Sequence, residues 1–178
     1  MGIYNCNPEY ADKAGGLSPS TCHAQIYKIE ENSKTDSIKI YFDVLQSTDP
    51  ANVQKSGNFT LFFTKADGSE SMSFHRNLRD ITIAVGLATK ETFEQYKAAH
   101  QSVPIDPNDW VGMQLVIVLE PQKSNPQYTQ PKTFLSVYDP KVSQKCLDVK
   151  LVEAIQNQMK NGSRPVMVIQ HEDDGYMN

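Results

Sequence analysis

The chain has 178 residues, of which 39% are hydrophobic, and its 17 basic and 21 acidic side chains give a net charge of −4. This length fits one domain with appendages, no apolar run approaches the roughly 20 residues that cross a bilayer, and the N-terminus lacks the basic and apolar segments of a secretory signal. The acidic balance also argues against a nucleic-acid binder, because such proteins are usually basic.

Residues 1–20 are rich in proline and glycine and show little periodicity, which predicts an irregular N-terminal arm. Five later segments have the composition or the alternation of β-strands, at 22–31, 37–46, 57–66, 110–121 and 132–139. The alternation is clearest in the second segment, where Ile38, Ile40 and Phe42 share one face while Lys39 and Tyr41 share the other. This pattern predicts a half-buried strand that forms a hairpin with the segment before it.

Between the third and fourth strand segments the apolar period changes to that of a helix. Apolar residues recur at intervals of three and four from Phe74 to Val85, Gly86 is a stop signal, and Thr89 is a suitable N-cap for a second helix. These two helices are predicted over 73–87 and 89–100. A C-terminal helix that includes Leu147 to Met159 and a short strand over 166–169 are predicted after the fifth strand.

Three strands, a helix and two further strands are the chain order of an OB-fold barrel, a scaffold that often holds oligonucleotides. We therefore predict a mainly β fold, an OB-fold-like β-barrel of five core strands, with a helix between strands three and four and a C-terminal helix. The predicted organisation is an N-terminal arm over 1–20, one OB-fold-like domain over 21–169 and an acidic tail over 170–178.

The sequence lacks the common signatures of enzymes and metal centres. Gly-x-Ser-x-Gly, the phosphate-binding Gly-x-x-x-x-Gly-Lys-Ser/Thr and the zinc-binding His-Glu-x-x-His are all absent. The four scattered histidines are expected at the surface or at sheet edges, and the three widely spaced cysteines indicate reduced thiols. We therefore expect a cytoplasmic protein, in the host cytoplasm if the chain is viral, that has no catalytic residues, no cofactor and no metal.

Side chains suited to single-stranded nucleic acid occur on several predicted strands and loops. Aromatic rings stack on bases, at about 1–3 kcal/mol per base, and Lys or Arg side chains pair with phosphates. The candidate stacking residues are Tyr41, Phe62, Tyr128 and Phe134, and the candidate phosphate contacts are Lys39, Lys65, Arg76, Arg79, Lys123 and Lys132. Lys123, Tyr128 and Lys132 lie in or beside the loop between the last two strands, which is one of the loops that line the binding groove in OB-folds.

Some of these candidates have a plainer interpretation. Phe62 shares a face with threonines, so its ring is either a stacking platform or a cover for another element such as the C-terminal helix. Arg76 and Arg79 lie on the polar side of a helix, where an ordinary solvated face is the favoured interpretation.

Carboxylates are concentrated in the tail, at Glu172, Asp173 and Asp174, close to Tyr176. Without them the chain is near neutral, and a near-neutral body is compatible with one positively charged groove. The tail is either a frayed, solvated terminus or a mobile anionic segment that docks on a basic partner or competes for the protein's own groove.

Short motifs are distributed over about residues 7–140. They are Ala14-Gly15-Gly16-Leu17, Tyr27-Lys28-Ile29-Glu30, Lys39-Ile40-Tyr41-Phe42-Asp43-Val44-Leu45, Asn77-Leu78-Arg79-Asp80-Ile81, Val85-Gly86-Leu87, Asp109-Trp110-Val111-Gly112-Met113 and Asn125-Pro126-Gln127-Tyr128. Together these motifs resemble phage-encoded single-stranded-DNA-binding proteins of the OB-fold type. The resemblance implies a replication or recombination accessory protein that coats single-stranded DNA and recruits partners through an acidic C-terminal tail. The chain departs from that family in its acidic overall balance and its few basic residues on the predicted binding strands.

The sequence therefore favours a non-sequence-specific single-stranded-DNA-binding protein of phage replication or recombination. Its expected partners are single-stranded DNA and, through the tail, replication or recombination proteins, with no membrane contact; formation of a homo-oligomer is left open. The alternative is a protein–protein interaction module, such as a viral structural component or an inhibitor of a host defence protein. The net negative charge and the lack of an obvious basic stripe favour this alternative.

Overall fold

A computed structural model of the protein describes residues 16–144, 150, 152–153 and 157. The strands are β1 (Ser20–Asn32), β2 (Ser37–Ser47), β3 (Ser56–Phe62), β4 (Gln114–Pro121) and β5 (Thr129–Leu135). The helices are α1 (Met72–Ala84), α2 (Lys90–Ala98) and the short α3 (Lys141–Gln144), and single 3-10 turns occur at Pro50–Asn52 and Pro107–Trp110. The five predicted strands and the two predicted central helices are confirmed, with limits that differ by a few residues.

The five strands form one antiparallel sheet in the order β3-β2-β1-β4-β5. The central strand β1 pairs with β2 from Cys22 to Asn32, but with β4 only from Ser20 to Gln25. β3 and β5 are the two edges, and within the described residues no strand ladder joins them. The mainly β prediction is therefore confirmed, whereas the predicted closure of the sheet into a barrel is not found.

One face of the sheet, the inner face, carries the main hydrophobic core. In β2 the alternating residues Ile38, Ile40, Phe42 and Val44 are all buried, as the two-residue period of a strand requires. The 3-10 turn before β4 adds the fully buried Trp110 to the same cluster. The other buried members are Cys22, Ala24, Ile26, Leu61, Ile81, Ala84, Val85, Leu115, Ile117 and Leu119.

Local signals account for the limits of the two central helices. At the start of α1 the Ser71 hydroxyl accepts a hydrogen bond from the Phe74 N–H at 3.3 Å, and a cap of this kind typically contributes about 1 kcal/mol. Thr89 caps α2 and forms a capping box with Thr92, so its predicted role is confirmed. Gly86 follows α1 with a φ of +85°, a conformation that glycine adopts without strain.

A second, smaller core lies on the opposite side of the sheet, the outer face, over β4 and β5. Its members are Val116, Leu135, Val137, Val142 and Val152, with Val118 packed against them. Val142 belongs to α3, and Val152 to the predicted C-terminal helix, of which residues 150, 152, 153 and 157 are described and are helical. The C-terminal part of the chain therefore covers one half of the outer face.

The N-terminal arm is described only from residue 16 onward, where it is bonded to the 3-10 turn at Pro50–Asn52. The Asn52 side chain is buried, and its amide donates to the Ser18 carbonyl at 3.1 Å and to the Ser20 hydroxyl at 2.7 Å. These bonds fix the point at which the chain enters β1. The rest of the arm, the predicted strand over 166–169 and the tail over 170–178 lie outside the described residues.

Candidate nucleic-acid interface

A β-bulge in β1 changes which side of the sheet its residues face. The register of the β1–β2 ladder shifts between Ile26 and Lys28, which makes Tyr27 the extra residue. Ile26 and Ile29 consequently both pack against the core, although residues three apart in a regular strand face opposite sides. Beyond the bulge, Lys28 lies directly opposite Tyr41 on the outer face.

Five side chains around this bulge form what we call the aromatic–cation cluster: Tyr27, Lys28, Glu30, Lys39 and Tyr41. The Tyr41 ring is its centre, because the ammonium groups of Lys28 and Lys39 lie 5.1 Å and 5.0 Å from the ring centroid. Both distances are within the roughly 6 Å over which cation–π attraction operates. The Tyr27 ring is 6.0 Å from the Tyr41 ring at an interplanar angle of 50°. Two rings and two cations therefore lie together on the surface of the sheet.

Glu30 is the only acidic member of the cluster as defined, and it is bonded within it. The Tyr41 hydroxyl donates to Glu30 Oε2 at 2.7 Å, and Lys28 Nζ lies 2.5 Å from Glu30 Oε1. The neighbouring Lys28 ammonium, and after it the Tyr41 hydroxyl, hold the pKa of Glu30 below its usual value. Glu30 is therefore ionised at neutral pH, and the cluster carries one more positive than negative charge.

The outer face continues from the cluster onto β3. Tyr41 pairs with Asn58 and Lys39 pairs with Thr60, and residues directly opposite one another in an antiparallel ladder share a face. Phe62 lies two positions beyond Thr60, and 53% of its surface is exposed. No element in the described part of the chain covers this ring, so an exposed aromatic side chain extends the surface that begins at Tyr41.

A groove of about 430 Å³ separates the edge strands β3 and β5. The ring centroids of Phe59 and Phe134 are 5.4 Å apart there, so the two edges touch through side chains although no ladder joins them. Phe134 pairs with the core residue Ile117 and packs against the core, which places it at the groove and away from the aromatic–cation cluster. The polar residues that line the groove are Asn58, Thr60, Asn77, Gln122, Thr129 and Gln130.

Phe62 also borders a second hollow, of about 630 Å³, between β3, the loop that follows it and α1. Lys65 also lines this hollow, so the structure brings the candidate phosphate contact Lys65 and the candidate stacking residue Phe62 to one region. Thr60, Phe62 and Asn77 line both the hollow and the β3–β5 groove. The two concavities are therefore adjacent, with Phe62 at their common border.

Three of the predicted cations lie elsewhere or are engaged. Arg79 Nε donates to Asp80 Oδ1 at 2.9 Å and lines a separate groove between α1 and α2. Arg76 is an exposed residue of α1, and Lys132 Nζ lies 3.8 Å from a carboxylate oxygen of Glu120. These three side chains are not part of the surface that joins Tyr41 to Phe62.

Lys123 and Tyr128 belong to the loop between β4 and β5. The Gln122 N–H donates to the Tyr128 carbonyl at 2.8 Å, and the Tyr128 N–H donates to the Asn125 carbonyl at 3.0 Å, which makes this loop compact. Tyr128 is 58% exposed. Because Gln122 and Thr129 line the β3–β5 groove, the loop lies at one end of that groove. The predicted partner-binding residues Glu172, Asp173, Asp174 and Tyr176 lie outside the described residues.

Three members of the cluster, Tyr27, Lys28 and Glu30, were not among the predicted binding residues. Regular alternation from Cys22 places Lys28 on the same side as the core residues, and only the bulge turns it to the outer face. The imperfect alternation of this segment signals an irregular strand. The position of a bulge, however, can be identified only from the pairing with the partner strand.

One histidine contradicts the expectation that all four lie at the surface or at sheet edges. His23 in β1 is fully buried, and its Nε2 forms a 2.7 Å hydrogen bond with Gln114 Oε1. Burial lowers the pKa of His23 to about 4, because a charged imidazolium is poorly solvated there. It lies on the outer face opposite Val116, a member of the second core.

Comparisons with known proteins give no family for this chain: no protein-family model matches it, and no curated protein is significantly similar. The resemblance to phage single-stranded-DNA-binding proteins therefore stays a prediction. Among the described residues, no three His, Cys, Asp or Glu side chains are grouped so that they could hold a metal ion. The helices in that part of the chain are all too short or too polar to span a membrane.

Proposed function

We propose that this protein binds single-stranded DNA without sequence specificity and without catalysis, as an accessory protein of phage replication or recombination. The observation that carries the proposal is the Tyr41 ring, which has two lysine ammonium groups within 5.1 Å of its centroid. A base that stacks on this surface would leave its phosphates within reach of Lys28 and Lys39. Stacking and charge pairing are the two contacts by which proteins hold a single strand.

The proposed path of the strand runs from the aromatic–cation cluster over β3 towards Phe62 and the β3–β5 groove. The support is the continuity of the outer face, since Lys39 is opposite Thr60, and Thr60 and Phe62 both line the groove. The groove offers amide and hydroxyl groups, which bond to bases or sugars of any sequence. Lys65 at the adjacent hollow provides a further cation near this path.

We further propose that the sheet is of the OB type. A sheet in the order β3-β2-β1-β4-β5 can close only by joining its two edges, and the 5.4 Å approach of Phe59 and Phe134 is in keeping with this closure. The OB-fold is a five-stranded, partly open barrel that binds oligonucleotides on the face of its second and third strands and on the adjoining loops. Of the proposed contact residues, Lys39 and Tyr41 lie on β2 and Phe62 lies on β3, whereas Tyr27 and Lys28 lie on the neighbouring β1.

The test is fluorescence anisotropy with a labelled oligo-dT, repeated across salt concentrations. We expect binding at low salt that weakens as salt rises, since each phosphate contact releases counterions. Tyr41→Leu should weaken binding about 5- to 150-fold, the equivalent of one lost stacking contact. Lys39→Ala should weaken binding and reduce the salt slope by about 0.7.

Matched controls lie on α2, away from the proposed path. Tyr96 and Lys97 line the groove between α1 and α2, and Tyr96→Leu and Lys97→Ala should leave both affinity and salt slope unchanged. Absence of oligo-dT binding at low salt by a correctly folded wild-type protein would remove the proposal. Equal losses in the α2 variants would show that the cluster has no special role.

A protein–protein interaction module remains the second candidate, and exposed apolar side chains favour it. Phe62, Met72 and Tyr128 are 53%, 76% and 58% exposed, and such residues can mark a contact surface. Affinity capture with and without nuclease separates the two functions. A defined partner that is retained after nuclease treatment, together with no binding of oligo-dT, would favour the interaction module.

A further inference from the structure

Glu30 occupies the donor groups on which the proposed DNA contact depends. Its Oε1 lies 2.5 Å from Lys28 Nζ, and its Oε2 accepts a 2.7 Å hydrogen bond from the Tyr41 hydroxyl. Glu30 is also the direct cross-strand partner of Lys39. One carboxylate is therefore bonded to two donors of the cluster and lies opposite the third.

A carboxylate and a backbone phosphate compete for such donors because both are anions with oxygen acceptors. Each forms charge-assisted hydrogen bonds to ammonium and hydroxyl groups. A phosphate that approaches Lys28 must displace the Glu30 carboxylate or share the ammonium with it, and in the second case the two anions repel each other. The lowered pKa of Glu30 keeps this carboxylate charged at neutral pH.

Stability alone is a weak reason for an acidic residue at this position. The side chains of Lys28 and Glu30 are 44% and 46% exposed, and exposed ion pairs contribute little to folding. Glutamine at position 30 would retain an oxygen that accepts from the Tyr41 hydroxyl. The charge of Glu30 therefore has its largest expected effect on anions that approach the cluster from solvent.

We propose that Glu30 is an internal competitor for the phosphates of single-stranded DNA, which weakens binding at the aromatic–cation cluster and keeps it readily reversible. This inference rests on the proposed function, because it concerns the same surface. In this proposal the site contains one group that repels phosphates, Glu30, beside the lysine and tyrosine groups that attract them. With such a repulsive group, the affinity for single-stranded DNA is lower than the lysine and tyrosine donors alone would give.

The experiment compares Glu30→Gln with Glu31→Gln in the oligo-dT anisotropy assay. Both variants remove one negative charge from adjacent residues of β1, but Glu31 pairs with Ile38 and lies on the other side of the strand. We expect Glu30→Gln to tighten binding about three- to tenfold at low salt, and Glu31→Gln to change it less than twofold. The salt slope of Glu30→Gln should also be steeper, because the Lys28 ammonium no longer shares its charge with a carboxylate and pairs more fully with a phosphate.

A double-mutant cycle with Lys28→Ala adds a second readout. In the Lys28→Ala background, Glu30→Gln should tighten binding by much less, because the ammonium that the carboxylate shields is gone. If Glu30→Gln fails to fold, Glu30→Asp serves instead, since its shorter side chain retains the charge but reaches Lys28 less well; an increase in affinity is again expected.

The outcomes separate the two proposals. If the wild-type protein binds oligo-dT and Glu30→Gln behaves like Glu31→Gln, then the competitor role is wrong while the proposed function stands. If neither the wild-type protein nor Glu30→Gln binds at low salt, then both proposals are wrong. Binding by Glu30→Gln but not by the wild-type protein would show that Glu30 blocks this surface outright, and the proposed function of the wild-type protein would then be wrong.

Discussion

The outer face of the sheet has two halves that differ sharply in exposure, and β1 contributes to both. In its first half His23 is fully buried opposite Val116, which packs in one cluster with Val142 and Val152. In its second half the Lys28 side chain is 44% exposed beside Tyr41. The same strand thus supports a hydrophobic core at one end and a charged, aromatic surface at the other.

This difference shows what decides the role of a sheet face. Period-two alternation determines which residues share a face, but a segment from another part of the chain determines whether that face is covered. Val116 and Val118 supply an apolar surface that Val142 and Val152 bury. Lys39 and Tyr41 instead supply a polar, positively charged surface that suits water and anions. The side-chain chemistry of β2 and β4 thus separates a packing surface from the surface for which we propose DNA binding.

The largest expected effect comes from a charge placed in the covered half. Val116 is fully buried, so Val116→Asp should lower the free energy of unfolding by about 4 kcal/mol or more, because an unpaired carboxylate is buried. Thr60→Asp, on the open half, should cost less than about 1 kcal/mol. Chemical denaturation measures both values. Similar losses in the two variants would contradict the distinction between the halves.

A smaller effect is expected from acid, again in the covered half. The pKa of His23 is lowered from 6.5 to about 4, so below pH 6.5 the unfolded chain binds a proton that the folded chain does not. The free energy of unfolding should therefore fall between pH 6.5 and 4, by on the order of 3 kcal/mol in total. Denaturation midpoints across this range test the prediction.

The control for this pH dependence is His23→Gln, which cannot titrate. Carboxylates with lowered pKa, such as Glu30, also lose their favourable contacts in acid, so the wild type and the variant should both lose stability. The His23 contribution is the difference between the two curves. Parallel curves would show that His23 is not the buried, neutral group described above.

The smallest expected effect on stability is in the open half. Lys28→Ala removes one exposed ion pair and one cation–π contact, and should lower the free energy of unfolding by less than about 1 kcal/mol. The same variant should weaken oligo-dT binding measurably and reduce its salt dependence. A large loss of stability with unchanged binding would assign Lys28 to the fold and not to the interface.

Much of the fold was predictable because its signals are local. The strict alternation of β2 identified both its buried and its polar side, and Thr89 and Gly86 marked helix limits through hydrogen bonding and backbone freedom. The fifth strand was predicted three residues too late, at 132–139. Pro131 suggested a loop, but β5 is an edge strand, where a proline costs no ladder bond.

The candidate site was less predictable because it depends on pairing between remote residues. Lys39 and Tyr41 were identified from their own strand, whereas Tyr27 and Lys28 join them only through a register shift against β2. Phe134 was a candidate stacking residue because its side chain is aromatic. Its packing against Phe59 depends on the approach of two sheet edges, which lie far apart in the sequence. The local period of a strand predicts neither the register of its ladder nor the approach of two sheet edges.

The bulge at Tyr27 has a consequence for how this chain tolerates changes in length. Deletion of Tyr27 would restore one-to-one pairing while Ile26 and Ile29 still point inward and Lys28 and Glu30 still point outward. A deletion at any regular position of β1 would instead exchange the two sides of everything beyond it. Position 27 is therefore the place in β1 where deletion of a single residue should be neutral for folding, at the loss of one aromatic ring.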